Sequence, residues 1–187
     1  MNIESPSDAS TPDGTAQDAG ASPACVMSFN AGDPSGAGGV AGDIATIAAM
    51  GAHALPVVTT LLMRDTAEVF DQHLIEGDAV VEQARSILED VTASAFKVGF
   101  LGSAENVSAV AEILSDYAEL PLVSYLPNLS WLEEDEHQSY LDAFRELILP
   151  ATEVLVGSHK TLTDFLDRKS TRLNSSHLKL SRMPSSA

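Results

Sequence analysis

The residues with the clearest capacity for chemistry lie in one glycine-dense stretch, NAGDPSGAGGVAGD, at positions 30–43. It holds five glycines and the carboxylates Asp33 and Asp43 between an apolar run and a segment of helical periodicity. Glycine lets a ligand approach the main chain closely, and a following helix directs its first N–H groups at an anion or polar group. The stretch has neither a Walker A ending nor a clean GxGxxG spacing. A ligand-binding turn and a tight connection therefore both stay open from spacing alone.

The segments around this stretch alternate between apolar strands and amphipathic helices. Strands are predicted at VMSF after Cys25 and at 55–62, 95–102, 120–126 and 152–157. Helices are predicted between them, one ending at a left-handed Gly51 and one capped by Ser103. Such an alternation predicts an α/β fold, a mostly parallel sheet with helices on both faces. Ligands of such sheets bind at the carboxyl ends of the strands, where the glycine-dense stretch follows the first strand.

The charge of the chain is strongly negative and unevenly distributed. The formal net charge is −17, from 27 acidic and 10 basic residues. The first 167 residues carry 5 − 27 = −22, and the last twenty carry +5. An acidic body argues against nucleic acid and anionic membranes as partners, and no apolar run is long enough to span a bilayer. Without a secretory signal at the N-terminus, we expect a cytoplasmic protein.

Composition divides the chain into three parts. Residues 1–24 offer almost nothing to bury and are predicted to form a disordered acidic tail. Residues 25–167 form the predicted domain. Residues 168–187, RKSTRLNSSHLKLSRMPSSA, contain no acids and many serines, and we interpret them as a non-native basic tail; a natural basic tail is the alternative. The single cysteine, Cys25, excludes an internal disulfide and favours a packing role.

The amino-acid sequence of the domain, from about Val26 to Leu166, resembles that of a known enzyme family. AGDPSGAGGVAGDIATIAAMGAHALPVVTTLLMRDT and KVGFLGS (97–103) are similar to the opening and the KIGMLGS element of the bacterial hydroxymethylpyrimidine/phosphomethylpyrimidine kinases. These belong to the ribokinase-like superfamily. The resemblance implies phosphorylation of hydroxymethylpyrimidine and its monophosphate in thiamine biosynthesis, with ATP and Mg²⁺. Such transfer depends mostly on positioning and charge stabilisation.

The resemblance also implies a pyrimidine pocket, whose residues would be Asp33, Gly36, Gly38, Asp43, Arg64 and Phe100. A carboxylate suits a hydroxyl or ring amino group because it accepts directed hydrogen bonds. For Asp33, Asp43 and Phe100, the sequence leaves a structural alternative open. Asp33 could instead cap the turn before Pro34, and Asp43 could be a first-turn acid favoured by the helix dipole. The ring of Phe100 could stack on the ligand or belong to the core.

Several positions depart from the family pattern. Arg64 replaces a glutamine that both donates and accepts, whereas guanidinium only donates, so base recognition is expected to differ. Gly32 and Leu126 replace a hydroxyl residue and an aspartate, and SHKTL at 158–162 replaces the NLPEA element that organises magnesium and phosphates. The anion-hole loop and catalytic residue of the family are not reached before the basic tail. The catalytic residues are therefore unknown, and the prediction is an impaired kinase, the alternative being a non-catalytic pyrimidine-binding or regulatory protein.

Other chemistry-bearing residues are scattered. The five histidines have no metal-ligand spacing, so no protein metal site is predicted. EEDEH (133–137) is interpreted as a solvated loop and the acidic first turn of a helix, and Trp131 as a packing anchor beside it. A half-built sheet would expose a strand edge, which invites association and makes a homodimer an expected form.

Overall fold

The computed structural model describes residues 22–167 and the strand at 179–182. Seven strands form one sheet in the order β3-β2-β1-β4-β5-β6-β7. Neighbouring strands are parallel except for the antiparallel pair β2–β3. The strands are β1 Cys25–Gly32, β2 His53–Arg64, β3 Val69–Leu74, β4 Ala95–Val98, β5 Leu122–Leu126, β6 Val154–Gly157 and β7 Lys179–Arg182.

Helices connect these strands as the alternating pattern predicts. They are α1 Gly39–Ala49, α2 Gly77–Leu88, α3 Ala104–Asp116, α4 Glu134–Ala143 and α5 His159–Asp167. The last turns after α4 are π-helical at Phe144–Ile148 and 3₁₀ at Leu149–Ala151. Both predicted caps are confirmed: the Ser103 hydroxyl accepts the Asn106 N–H at 3.2 Å, and Gly51 has φ 79° after α1. The prediction of a mostly parallel α/β fold with helices on both faces is confirmed.

One face of the sheet holds the main core. Met27 and Phe29 of β1 and Phe96 and Val98 of β4 are buried there. The Phe96 ring meets Tyr117, just past α3, edge to face at 5.7 Å. Full burial of such side chains stabilises the fold by roughly 1.5–3 kcal/mol each. The contacts of α2 with α3, and of α3 with α4, join these helices into one layer over this face.

The opposite face is covered differently. There α1 contacts β1 and β2, but none of its residues is buried and Ile44 remains 41% exposed. Farther along this face, Val123 of β5 is 38% exposed, and its partners in register, Lys97 and Val154, are half-buried. Parallel sheets are normally buried on both faces. The described part of the chain therefore leaves the α1 side of β4–β6 more open than the core side.

Two strands differ from the sequence prediction near the site. β2 extends to Arg64 and pairs with β3, which was not predicted. The Asp65 carboxylate accepts the N–H groups of Ala67 at 2.7 Å and Glu68 at 2.8 Å, and so forms the turn between the two strands. β4 ends at Val98 instead of Gly102, because the chain leaves the ladder where the Asn30 side chain accepts the Phe100 N–H.

The described strand at 179–182 lies within the segment interpreted as a non-native tail. Its backbone pairs in parallel with β6, from Val154↔Lys179 to Gly157↔Arg182. The sequence analysis assigned no strand there. The non-native origin of 168–187 stays a prediction, and the predicted disorder of 1–24 lies almost wholly outside the described residues. Among the described residues, no helix combines the length and apolarity that crossing a bilayer requires.

Candidate functional site

The glycine-dense turn joins the carboxyl end of β1 to α1, as predicted. Gly36 has φ 69° and donates its N–H to the Asp33 carbonyl at 3.2 Å. Gly39 has φ 62°, and a Cβ there would collide with the Ala31 carbonyl oxygen and lie 2.7 Å from the Asp33 Cβ. A Cβ on Gly36 would meet nothing within 4 Å. Gly39 is therefore required by close packing, whereas Gly36 leaves open main chain at the tip of the turn.

Asp33 lies inside this turn with both carboxylate oxygens bonded. Oδ1 accepts the Ser35 N–H at 2.9 Å and the Ser35 hydroxyl at 2.7 Å. Oδ2 lies 3.2 Å from Nη1 of Arg64, and the Asp33 side chain is only 5% exposed. The turn-capping alternative is thus present in the structure. In addition, two of the predicted site residues, Asp33 and Arg64, form an ion pair across the turn.

Asp43 belongs to a different polar cluster, beneath α1. Its Oδ2 accepts from Ser28 Oγ at 2.6 Å, Asn30 Nδ2 at 2.9 Å and Lys97 Nζ at 2.7 Å. Asp43 is the fifth residue of α1, whose first turn contains no acid, so the alternative of a first-turn acid is wrong. The carboxylate instead joins α1 to β1 and β4. Burial lowers the pKa of Lys97, an effect that the neighbouring Asp43 charge opposes.

Asn30 connects this cluster to the end of β4 and was missed by the sequence analysis. Its Oδ1 accepts the N–H of Ala31 at 2.9 Å and of Phe100 at 3.0 Å, while Nδ2 donates to Asp43. A Cβ on Gly99 would collide with the Asn30 side chain. The sequence feature that could have indicated its role is the presence of a polar residue inside the apolar run of β1. Buried polar groups of this kind need full hydrogen bonding, which Asn30 achieves.

The ring of Phe100 packs in the core. It is 5% exposed and meets Trp131 edge to face at 5.7 Å and Tyr140 at 5.3 Å. Trp131 is partly buried against the same core, as its predicted packing role requires. The Tyr140 hydroxyl accepts the Leu101 N–H at 3.1 Å, and burial strongly raises the pKa of Tyr140. Of the two alternatives for Phe100, this geometry favours the core residue.

A cavity of about 220 Å³ opens at the carboxyl ends of β5 and β6. Asn128, His137, Lys160 and Asp164 contribute polar groups to its lining. The SHKTL segment borders it, where the Ser158 hydroxyl accepts the Thr161 N–H at 3.1 Å and lies 2.7 Å from the Thr161 hydroxyl. This cavity and the glycine-dense turn lie at the same edge of the sheet, as ends of parallel strands do.

The donor set for a divalent cation is poor in the described part of the chain. It contains no group of three or more His, Cys, Asp or Glu side chains that could hold a metal ion. At the SHKTL position the two hydroxyls are hydrogen-bonded to each other. Magnesium prefers carboxylate, carbonyl and water oxygens in octahedral geometry. The described residues therefore do not fit a magnesium site supplied by the protein alone.

Solved structures with a similar fold include a phosphomethylpyrimidine kinase and a pyridoxal kinase. The phosphomethylpyrimidine kinase of Clostridium difficile 630 is 19% identical, with a TM-score of 0.68, 77% of this chain covered and 63% of that chain. The pyridoxal kinase of Bacillus subtilis, solved as an ADP complex, is 17% identical, with a TM-score of 0.68 and coverages of 82% and 58%. At these identities the likeness establishes the fold alone.

Sequence comparison with curated proteins and with a family model identifies the family of the chain. The hydroxymethylpyrimidine/phosphomethylpyrimidine kinase of Escherichia coli K12 is 39% identical over 85 residues, 46% of this chain and 32% of that protein. The chloroplastic thiamine biosynthetic bifunctional enzyme TH1 of Arabidopsis thaliana is 30% identical over 142 residues, 73% of this chain and 27% of that protein. The chain thus spans a third or less of the length of these relatives. The family model described as phosphomethylpyrimidine kinase matches residues 33–183, most of the chain, which belongs to that family.

Proposed function

We propose that this chain supplies the substrate-binding part of a kinase that phosphorylates hydroxymethylpyrimidine and its monophosphate in thiamine biosynthesis. Membership of the phosphomethylpyrimidine kinase family supports the phosphotransferase class. The observation that carries the proposal is the turn at the end of β1, where the Asp33–Arg64 pair lies beside Gly38 and the main chain of Gly36 is open. Bare main chain and a fixed polar pair suit a small flat heterocycle.

Each element of the turn has a separate role in this proposal. Gly36 leaves room for the ring, Gly38 lies next to the Asp33 carboxylate, and Asp33 fixes the turn through Ser35. Arg64 supplies positive charge in a chain of net charge −17. Asp43 and Lys97 hold α1 against the sheet and act as positioning residues. Holding reactants in one geometry is a large part of phosphoryl-transfer catalysis.

The phosphoryl donor in this proposal is ATP. A pyridoxal kinase of similar fold from Staphylococcus aureus was solved with AMP-PCP and pyridoxal, which supports nucleotide use in this fold. The cavity at the ends of β5 and β6 has Lys160 on its lining, a cation that suits a phosphate group. Magnesium is the metal expected with ATP. Because the described side chains do not fit a magnesium site, no step is assigned to that ion.

A non-catalytic pyrimidine-binding or regulatory protein is the second candidate. The observation that favours it is the SHKTL segment, whose two hydroxyls are hydrogen-bonded to each other. The segment contains no carboxylate, and the carboxylate on the lining of the cavity is that of Asp164. Under either candidate we propose a cytoplasmic protein that binds a small molecule. Association into a homodimer through the exposed strand β3 also remains a proposal.

The two candidates separate in one pair of measurements on the purified full chain. Calorimetric titration with hydroxymethylpyrimidine measures binding, and a coupled assay with ATP and magnesium measures ADP release. Binding with substrate-dependent ADP release supports the kinase. Binding without ADP release supports the regulatory protein. The absence of any heat of binding contradicts both.

A variant tests the location of the site. Gly38 has φ −154° and ψ −153°, an extended backbone that any residue adopts. Gly38→Leu should therefore fold while filling the space beside the Asp33 carboxylate, from which a Cβ at 38 would lie 3.4 Å, and so abolish the heat of binding. Arg85→Gln is the matched control, since Arg85 pairs with Asp116 on the surface between α2 and α3. Unchanged binding in Gly38→Leu would place the ligand elsewhere.

A further inference from the structure

The α1 side of β4–β6 is an apolar surface in a strongly acidic protein. Its strand residues lie in register with one another and are half-buried or exposed: Lys97, Val123, Tyr125, Val154 and Val156. The one charge in this set, that of Lys97, is balanced by Asp43 at 2.7 Å. Apolar strand faces of this kind normally lie beneath a helix in a parallel sheet.

The outward side of α1 is also uncharged. The one charged residue of this helix, Asp43, points to the sheet, where it contacts Lys97. At about 100° per residue, Ala41, Ala45 and Ala48 lie on the side of the helix opposite to Asp43. All three are exposed. Their methyl groups would let a second apolar surface approach the helix closely.

The open position beside α1 has the width of one helix. α1 contacts β1 and β2, and β4, β5 and β6 follow β1 on its other side. Strands lie roughly 4.8 Å apart and packed helices roughly 8–10 Å apart, so a helix laid beside α1 would lie over β4 and β5. Val123 of β5 is 38% exposed, so the described helices leave this position open.

Charge and shape together favour a second copy of the chain as the occupant. With a formal net charge of −17, two copies repel each other over most of their surfaces. The repulsion is weak at this face, because its acid, Asp43, is paired with Lys97. The chain also carries a helix that fits the open position, since α1 has an apolar outward side. A surface that offers both a helix and its docking position is complementary to itself.

We propose that two copies associate about a two-fold axis, with α1 of each copy lying on the β4–β6 face of the other. The two α1 helices then form one layer between two sheets, with Ala45 of one copy over Val123 of the other. The proposal does not depend on the proposed function. It differs from association through β3, because it buries the faces of the sheets and not an edge. We expect a dissociation constant on the order of 10 μM, since most of the contacting side chains are small.

Sedimentation equilibrium of the full chain tests the dimer. From about 1 to 100 μM the wild type should pass from monomer to dimer. Ala45→Lys and Val123→Glu each place a charge against an apolar surface and should weaken the dimer by about 100-fold. In Val123→Glu the new carboxylate lies beside Lys97 in register, so the monomer tolerates it. Thermal melts verify that both variants fold.

A mixture of the two variants tests the pairing across the interface. In a mixed dimer, the introduced ammonium of one copy meets the introduced carboxylate of the other, and the second helix contact is that of the wild type. The mixture should therefore dimerise where neither variant does so alone. Ala79→Lys adds the same charge to an exposed position of α2 and should leave the dimer unchanged, as should Phe70→Glu on β3.

Each other result overturns the proposal. A wild type that stays monomeric to about 100 μM has no such interface. A dimer that survives both Ala45→Lys and Val123→Glu, or that Phe70→Glu dissociates instead, uses another surface. A mixture that stays monomeric rules out contact between α1 and the facing sheet. Unfolding free energies measured at about 1 μM, below the expected dissociation constant, report on the monomer, in which Val123 stays open.

Discussion

Lys97 of β4 donates a 2.7 Å hydrogen bond to Asp43 of α1, and only 18% and 19% of the two side chains are exposed. The same carboxylate oxygen also accepts from Ser28 and Asn30. This cluster is the polar connection between α1 and the strands beneath it. The glycine-dense turn is therefore anchored at its far end by charge and hydrogen bonding, since α1 contributes no buried side chain.

Removal of the carboxylate should destabilise the fold strongly. Asp43→Ala leaves Lys97 largely buried without its counter-ion and Asn30 without its acceptor. Breaking a buried pair by removing one partner costs about 3–5 kcal/mol, and partial exposure places this site toward the lower end. Urea unfolding followed by circular dichroism measures the change. The double variant Asp43→Leu with Lys97→Met should recover part of the loss, because it removes both charges.

A surface pair provides the comparison. Arg85 and Asp116 lie 2.8 Å apart, with about half of each side chain exposed. Exposed pairs contribute about 0–1 kcal/mol, so Arg85→Ala should change the free energy of unfolding little. Similar losses for Asp43→Ala and Arg85→Ala would mean that the cluster beneath α1 is solvated in solution.

The same cluster should make stability depend on pH in the alkaline range. Burial lowers the pKa of Lys97 below its ordinary value of 10.5, so the unfolded chain binds more protons between the two pKa values. The free energy of unfolding contributed by Lys97 should therefore rise as pH increases through the folded-state pKa toward 10.5. The difference in unfolding free energy between wild type and Lys97→Met, measured from pH 8 to about 10.5, isolates this contribution. A difference that is flat with pH contradicts the shift.

The Asp65 turn should show a dependence of the same sign, but at low pH. Backbone hydrogen bonds from Glu68 and Ala67 lower the pKa of the Asp65 carboxyl below 3.8. Its contribution is then fully present above the unfolded-state pKa and is lost as pH falls through the folded value. The Ala67 and Glu68 amide resonances should follow this titration in NMR spectra. In Asp65→Asn they should be insensitive to pH in the same range.

The alternation of strands and helices could be predicted from the sequence because the apolar residues of each core element recur at the spacing of a strand or of a helix. Ser103 and Gly51 were predictable as caps, since capping depends on residue type and local position. β3 was not predictable, because VFDQHL lies at the sheet edge with both faces open and has no buried alternation. β7 gave no signal either, since four residues provide too little periodicity.

The contacts within the candidate site could be predicted only in part, for a different reason. Sequence position placed Asp33 and Asp43 in the same stretch, but their side chains enter separate clusters. Asp33 pairs with Arg64, 31 positions away, and Asp43 with Lys97, 54 positions away. Local periodicity carries no information about such distances. The direction of the Phe100 ring depends likewise on Trp131 and Tyr140, which arrive from later elements.

The unequal covering of the two sheet faces should be measurable by paired substitutions. Val98 is fully buried on the core face, whereas Val123 on the α1 side is 38% exposed. Val98→Thr buries a hydroxyl and should cost about 1–3 kcal/mol. Val123→Thr should cost less than about 0.5 kcal/mol, since threonine suits a half-exposed strand. A large loss at Val123, measured by the same urea unfolding, would show that this face is covered in solution.

The two left-handed glycines of the turn should respond differently to alanine. Gly36 and Gly39 have similar φ values, 69° and 62°, so the strain of placing an L-residue there is alike at both, about 1–2 kcal/mol. At Gly36 this strain is the whole effect, because a Cβ meets nothing within 4 Å. At Gly39 the Cβ also collides with the Ala31 carbonyl and crowds Asp33, so the start of α1 must shift. Gly39→Ala should therefore lose more stability than Gly36→Ala in thermal melts and displace the Asp33–Arg64 pair. Equal losses would mean that the turn relaxes freely, which is incompatible with a preformed surface at this end of β1.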